Sequence, residues 1–160
     1  MTPGRLRTVR RTCVLDAPAD VVWRALRAPA VLVHVAAPVL RMPALERRER
    51  AWRPGEAVTT WLLLFGLLPL SRHTVVVDVF DDAARTARTE EHGGPVSVWR
   101  HRLTVEPAGP DRCHYTDEIE IGAGALTGIV ADFAAAFFRW RRHRWRRLAR
   151  VLAAACAAPR

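Results

Sequence analysis

A proline-free stretch of more than thirty residues, Leu126 to Ala158, closes this chain, and its one glycine, Gly128, lies in the first turn. Apolar residues recur at Leu126, Val130, Phe133, Phe137, Trp140, Leu148 and Leu152, mostly at the three-or-four spacing of a buried helical face. A helix this long, at the end of a chain otherwise made of short strand-like runs, needs a large apolar surface to lie on. A curved sheet that grips the helix meets this need and leaves room for a ligand between the two.

The same stretch concentrates the charge. No acid follows Asp132, yet eight arginines do. Residues 1–15 hold four Arg and no acid, and residues 16–132 hold 13 Arg against 16 acids, a net of −3. The formal charge of +9 therefore describes two ends rather than the body. All 25 basic residues are Arg. Together with the many Ala this reads as a G+C-rich coding bias, which weakens any argument that Arg was selected for phosphate forks.

Basic ends suit nucleic acid, anionic lipid or an acidic partner. The run Phe137 to Arg147 interleaves arginines with aromatics, as in segments that lie on lipid or stack on bases. Arg139, Arg142 and Arg146 are its candidate anion contacts. A plainer reading competes: Trp140 belongs to the core side, Arg stems can cover Trp rings, and cations near a helix C-terminus favour its dipole. Among anions an acidic membrane surface is expected before nucleic acid, because no nucleic-acid-binding fold is visible.

At 160 residues, half of them hydrophobic, one domain with a real core is expected. Cys13, Cys113 and Cys156 are far apart and odd in number, so they match no disulfide framework, and a reducing, cytoplasmic setting is expected. The start, MTPGRLRTVRRT, has no apolar segment of a signal peptide. The longest apolar run, Trp61 to Leu70, is too short to span a bilayer.

Val9 to Leu15 alternates and reads as a strand. Asp16-Ala17-Pro18 then opens a helix, with Asp20 in its first turn. Pro29 interrupts it, and a second short helix runs from about Ala30 to Ala36. Six strand-like runs separated by turn signals follow: Ala44–Trp52, Ala57–Phe65, Arg72–Phe80, Arg85–His92, Val96–Val105 and Arg112–Ile121. The fold class is α+β in the order β-α-α-β6-α, with the strands in an antiparallel meander.

This order resembles the START-like superfamily, also called SRPBCC or helix-grip, which includes polyketide cyclases and aromatases, lipid-transfer proteins and plant hydrophobic-ligand carriers. The residues that carry the resemblance are Asp16-Ala17-Pro18-Ala19-Asp20-Val21-Val22-Trp23, Trp52-Arg53-Pro54-Gly55 at a hairpin, and Tyr115-Thr116-Asp117-Glu118-Ile119 on the last strand. It covers almost the whole chain. It implies a seven-stranded curved antiparallel sheet wrapped around a long C-terminal helix, with a cavity between them. On this reading residues 1–160 form a single ligand-binding domain, with a basic tail over 1–8 and the C-terminal helix over 124–157. The resemblance implies no catalytic residue, because the superfamily has no common catalytic set.

Strand parity then nominates inward side chains. Arg100 and Arg102 should face water, which turns Trp99, His101, Leu103 and Val105 inward. On the last strand the odd set, Tyr115, Asp117, Ile119 and Ile121, is the more apolar. On Arg72–Phe80 the odd set is His73, Val75, Val77 and Val79. Both parities are apolar around Trp61, and Trp61, Leu63 and Phe65 are taken as inward. The expected ligand contacts are Trp61, Val75, Val77, Trp99, Leu103 and Ile119 from the sheet. The helix adds Leu126, Val130, Phe133 and Phe137.

The polar inward candidates are His73, His101, Tyr115 and Asp117. They either satisfy one another and trapped water or do acid–base work on a bound ketone or enol, with His moving a proton and Tyr donating to an oxyanion. No nucleophile elbow surrounds Ser71 or Ser97. No close His or Cys pair suggests a metal, and no cofactor is expected. Gly122-Ala123-Gly124 lacks the Lys and third glycine of a phosphate loop and reads as a strand-to-helix turn. Around it, Phe65, Leu67, Leu68, Leu70 and Leu126 should form a rim, either packed on itself or open as an apolar portal.

Three functions follow. The first is binding or transport of a hydrophobic or amphipathic, lipid- or polyketide-like small molecule. The second is a cyclase or dehydratase chemistry of the polyketide type. The third is contact with an anionic membrane or a partner through the Arg/Trp helix.

Overall fold

A computed structural model describes residues 6–158. Strand β1 (Arg7–Leu15) leads into helices α1 (Ala19–Leu26) and α2 (Pro29–Ala36), a short β2 (Leu40–Arg41) and a one-turn α3 (Pro43–Glu46). Then come β3 (Ala57–Leu64), β4 (Leu68–Asp81), β5 (Thr86–Gly93), β6 (Val96–Pro107) and β7 (Cys113–Gly122), and a 3-10 turn (Gly124–Leu126) feeds α4 (Thr127–Ala157). The seven strands form one antiparallel sheet in the order β1-β7-β6-β5-β4-β3-β2. This is the helix-grip fold: the sheet curls around α4, which packs along β1 and β7 on one side and against α1 and α2 on the other. Residues 1–5 of the expected basic tail lie outside the described residues, and Arg7 and Thr8 belong to β1 rather than to a tail.

The curl has local causes. Pairing slips between Leu62 and Leu63, between Val77 and Val79, and between Glu91 and Gly93, and an extra residue in one strand bends it and increases its twist. At the β5–β6 turn, a Cβ on Gly93 would sit 2.1 Å from the carbonyl oxygen of Arg72, so only glycine lets the turn press this close to β4.

Four expectations needed correction. The first is the strand over Ala44–Trp52: Leu40–Arg41 pairs with Leu64 and Leu63 instead, and the chain then turns through α3. Pro43 starts that turn, and the charges that follow leave no apolar face for a sheet. Trp52 is buried and its N–H donates to the Arg27 carbonyl, so the segment is held as an anchored loop. Second, the break between the two helices falls at Arg27 and Ala28, and Pro29 is the first residue of α2 rather than the residue ahead of it. Third, Val79 does not continue the inward set of β4. The slip at Asp78 reverses the parity, so Phe80 reaches the interior in its place. Fourth, the buried stripe of α4 is Ala131, Ala134, Phe137, Phe138, Arg141, Trp145 and Ala149, rotated from the expected face. Its alanines let the helix lie close on β1. Leu126, Phe133 and Trp140 stay partly exposed at its flanks.

The interior divides in two. Around the middle of α4, Phe137 and Phe138 pack with Ile119, Ile121, Met42, Leu45 and Trp52. Toward its C-terminal half, Trp145 and Ala149 pack with Leu15, Val22, Trp23 and Tyr115. Helix α4 is also tied to α2, because the Trp140 indole donates to the Ala37 carbonyl at 3.1 Å and Arg144 donates to the His34 carbonyl at 3.1 Å.

Candidate functional site

Between the inner face of β3–β6 and α4 lies a cavity of about 460 Å³. Leu62 and Leu64 of β3, Val75 and Val77 of β4, and Trp99 and Leu103 of β6 form its floor. Val130, Phe133, Phe137 and Phe138 of α4 form its roof, and Leu32, Met42 and Trp52 close one side. The walls are overwhelmingly apolar, as in most small-molecule pockets. Leu70, Ile129 and Phe133 line the cavity and are also exposed to solvent, so the mouth lies between the β3–β4 hairpin and the start of α4. Around that mouth Leu67 is 87% exposed, and Phe65 and Leu68 are exposed as well. The rim is therefore open rather than packed on itself.

One stretch of wall is polar. The His73 imidazole donates through Nε2 to Glu91 Oε2 at 2.9 Å, and the Thr89 hydroxyl donates to Glu91 Oε1 at 2.7 Å. His101 donates through Nε2 to Asp117 Oδ1 at 2.8 Å, and Tyr115 Oη donates to the same oxygen at 3.0 Å. His101 Nδ1 stands 3.9 Å from Glu91 Oε1, which links the two groups. The ring of His101 meets Phe138 edge-on, with centroids 5.3 Å apart.

Both carboxylates are held ionised. Burial alone would raise the Glu91 carboxyl, but the His73 hydrogen bond and the neighbouring imidazoles outweigh it and lower it below the ordinary value. Burial opposes ionisation of Asp117 in the same way, and the Arg141 charge together with the His101 hydrogen bond reverses it. Burial, reinforced by the Asp117 charge, pushes the Tyr115 phenol well above its usual value. Burial also pushes the thiols of Cys13 and Cys113 up to about 11, so neither is a nucleophile at neutral pH. Among the described residues, no three His, Cys, Asp or Glu side chains converge as metal ligands.

The residues nominated from strand parity fall into two groups. His73, Val75, Val77, Trp99, His101, Leu103, Val130, Phe133 and Phe137 reach the cavity. Trp61, Ile119, Leu126, Tyr115 and Asp117 are not on its wall. Trp61 is 49% exposed, because even-numbered residues of β3 face inward. Leu126 sits in the 3-10 turn ahead of α4 and is exposed. Ile119 lies fully buried in the core beside α4, and Tyr115 is covered by Trp145, with ring centroids 4.9 Å apart. Asp117 reaches the cavity only through His101, which it holds.

Of the anion candidates, Arg139 and Arg146 are exposed and Arg142 is half-buried. Among the charged residues of the cavity wall, Glu91 and Arg141 were not anticipated. Glu91 shares strand parity with Ala87 and Thr89, and that alternation was its available signal. Arg141 continues the stripe from Phe137 to Trp145, but the surrounding arginines disguise it.

The chain matches the description "Domain of unknown function (DUF8410)" over residues 13–152. It belongs to that family. Among curated proteins nothing matches. Solved structures show the fold more widely. A START superfamily protein from Mycobacterium smegmatis is 14% identical with a TM-score of 0.66, over 91% of this chain and 98% of that one. Norcoclaurine synthase from Thalictrum flavum, solved with dopamine and hydroxybenzaldehyde, is 11% identical with a TM-score of 0.66, over 99% and 91%. The Zhui aromatase/cyclase from Streptomyces sp. R1128 is 16% identical with a TM-score of 0.57, over 86% and 95%. This DUF8410 chain thus has the START/SRPBCC fold, and no helix among its described residues is long and apolar enough to cross a membrane.

Proposed function

We propose that this protein binds a hydrophobic or amphipathic small molecule, lipid- or polyketide-like, in the hollow under α4. The cavity itself carries this reading: about 460 Å³ walled by aliphatic and aromatic side chains, with a mouth at Leu70, Ile129 and Phe133. A hollow of this size that stayed empty would cost packing contacts that an apolar ligand restores. Native mass spectrometry of the freshly purified protein, followed by extraction, should recover a bound apolar molecule. Leu103→Trp projects an indole into the hollow and should abolish uptake of an apolar fluorescent probe while the protein stays folded. Undiminished uptake by that variant would contradict the reading.

The exposed rim supports an extension, in which ligand enters from an anionic membrane surface touched by Phe65, Leu67 and Leu68. A Leu67→Asp and Leu68→Asp pair should weaken binding to vesicles of anionic lipid and leave stability within about 0.5 kcal/mol. Equal vesicle binding by the variant would remove the rim from the account. The Arg/Trp run contributes less to such a surface than its composition suggests. Trp145 and Arg141 are buried, and Trp140 is bonded to α2.

Acid–base catalysis of a cyclase or dehydratase type is the second reading. It is favoured by His101, an imidazole on the cavity wall with a carboxylate behind it. Tyr115 has no part in it, because its hydroxyl is bound to Asp117 beneath the wall. Replacing His101 by Gln should cost ~10²-fold in turnover if this reading holds.

A further inference from the structure

Arg141 is 3% exposed, lines the cavity from α4, and has no hydrogen-bond or ion-pair partner among the described residues. Its Nε is sealed from solvent and unpartnered, and its guanidinium lies 4.8 Å from the ring centre of Phe138 and 5.9 Å from that of Phe137. A guanidinium cannot shed its proton in a protein, and burying a charge without hydrogen bonds is costly. Of the other polar groups on this wall, the Trp145 indole N–H is likewise buried without a partner among the described residues, while the imidazoles and the carboxylate are bonded. His73 and Thr89 bond Glu91, while His101 and Tyr115 share one oxygen of Asp117. Arg141 favours the ionised Asp117 through space without forming a contact ion pair with it. The donors of the fork are therefore unspent, at the polar end of an otherwise apolar hollow.

We propose that Arg141 is the anchor for the head group of the ligand, and that this head group is a carboxylate on a hydrophobic body. The inference rests on the cavity reading above and names the ligand class within it. A carboxylate presents two oxygens in the plane and spacing that a guanidinium fork matches. A point acceptor such as an ester carbonyl occupies only part of it. The charged groups nearest the head are His73 of β4, Glu91 of β5 and His101 of β6 on the wall, with Asp117 of β7 behind His101. Glu91 and Asp117 oppose a further negative charge, and the imidazoles that bond them lie on the cavity side. The apolar tail runs from Arg141 past Val77 and Phe137 toward the mouth at Ile129 and Phe133.

The test compares dodecanoic acid with methyl dodecanoate, which share a tail and differ at the head, by titration calorimetry near pH 7. The expected result is ~10–100-fold tighter binding of the acid to the unaltered protein, the range of a charge-assisted hydrogen-bonded pair. Arg141→Met should remove that preference by weakening binding of the acid far more than that of the ester, because Met keeps the apolar stem and drops the fork. Equal affinity of the unaltered protein for acid and ester would overturn the anchor while leaving the cavity reading intact. That comparison needs no variant and so does not depend on whether Arg141→Met folds. Failure of both probes to bind would overturn the cavity reading and the anchor with it.

Discussion

Replacing Tyr115 by Phe separates a structural hydrogen bond from a catalytic one. The change removes a single oxygen and keeps the ring that packs on Trp145 at 4.9 Å. The lost hydroxyl donates to Asp117 at 3.0 Å, in a residue 2% exposed, so no water replaces it easily. Asp117 keeps its bond from His101 at 2.8 Å, which limits the damage to one donor. A hydrogen bond to an ionised buried acceptor contributes roughly 1.5–3 kcal/mol, and about 2 kcal/mol is expected here. For a chain of this size each kcal/mol corresponds to about 2–4 °C, which places the fall in Tm at about 4–8 °C. Urea and thermal unfolding at pH 7 would measure it, alongside uptake of an apolar fluorescent probe, which should change less than threefold. Unaltered stability together with a ~100-fold loss of binding or turnover would refute the reasoning, because it would mean that the hydroxyl meets the ligand.

Acid should unfold the protein through Glu91 and Asp117. Their folded values are depressed, so the stability they confer is complete above their unfolded values, about 4.3 and 3.9, and is lost as pH falls through the lower folded ones. The urea midpoint should therefore drop below about pH 4, and Glu91→Gln should flatten that drop; parallel curves for the two proteins would contradict it. Trp145→Ala should cost about 3–5 kcal/mol, since the indole is fully buried between Tyr115 and α1, whereas Arg146→Ala beside it should stay within about 0.5 kcal/mol. Similar costs for both, measured by urea unfolding, would mean that the Arg/Trp run is a surface after all.

The opening strand and two helices, the strands from β3 to β7, the long closing helix and the inward faces of β6 and β7 were legible in the amino-acid order. Arg100 and Arg102 alternate with Trp99, His101 and Leu103, and a period of two is a property of one strand alone. His73, Val75 and Val77 were readable on the same ground. Local periodicity stops being enough where two elements settle on each other. The bulge at Asp78, which brings Phe80 inward in place of Val79, depends on pairing with β5. The face of α4 depends on how near its alanines let it approach β1, and that rotation carries Arg141 into the cavity. The same docking places Trp145 over Tyr115 and leaves Asp117 to reach the cavity only through His101. A pattern along one element sets which side chains share a face; the separation of helix and sheet, set by the sizes of side chains far apart in the chain, sets which of those faces border a void.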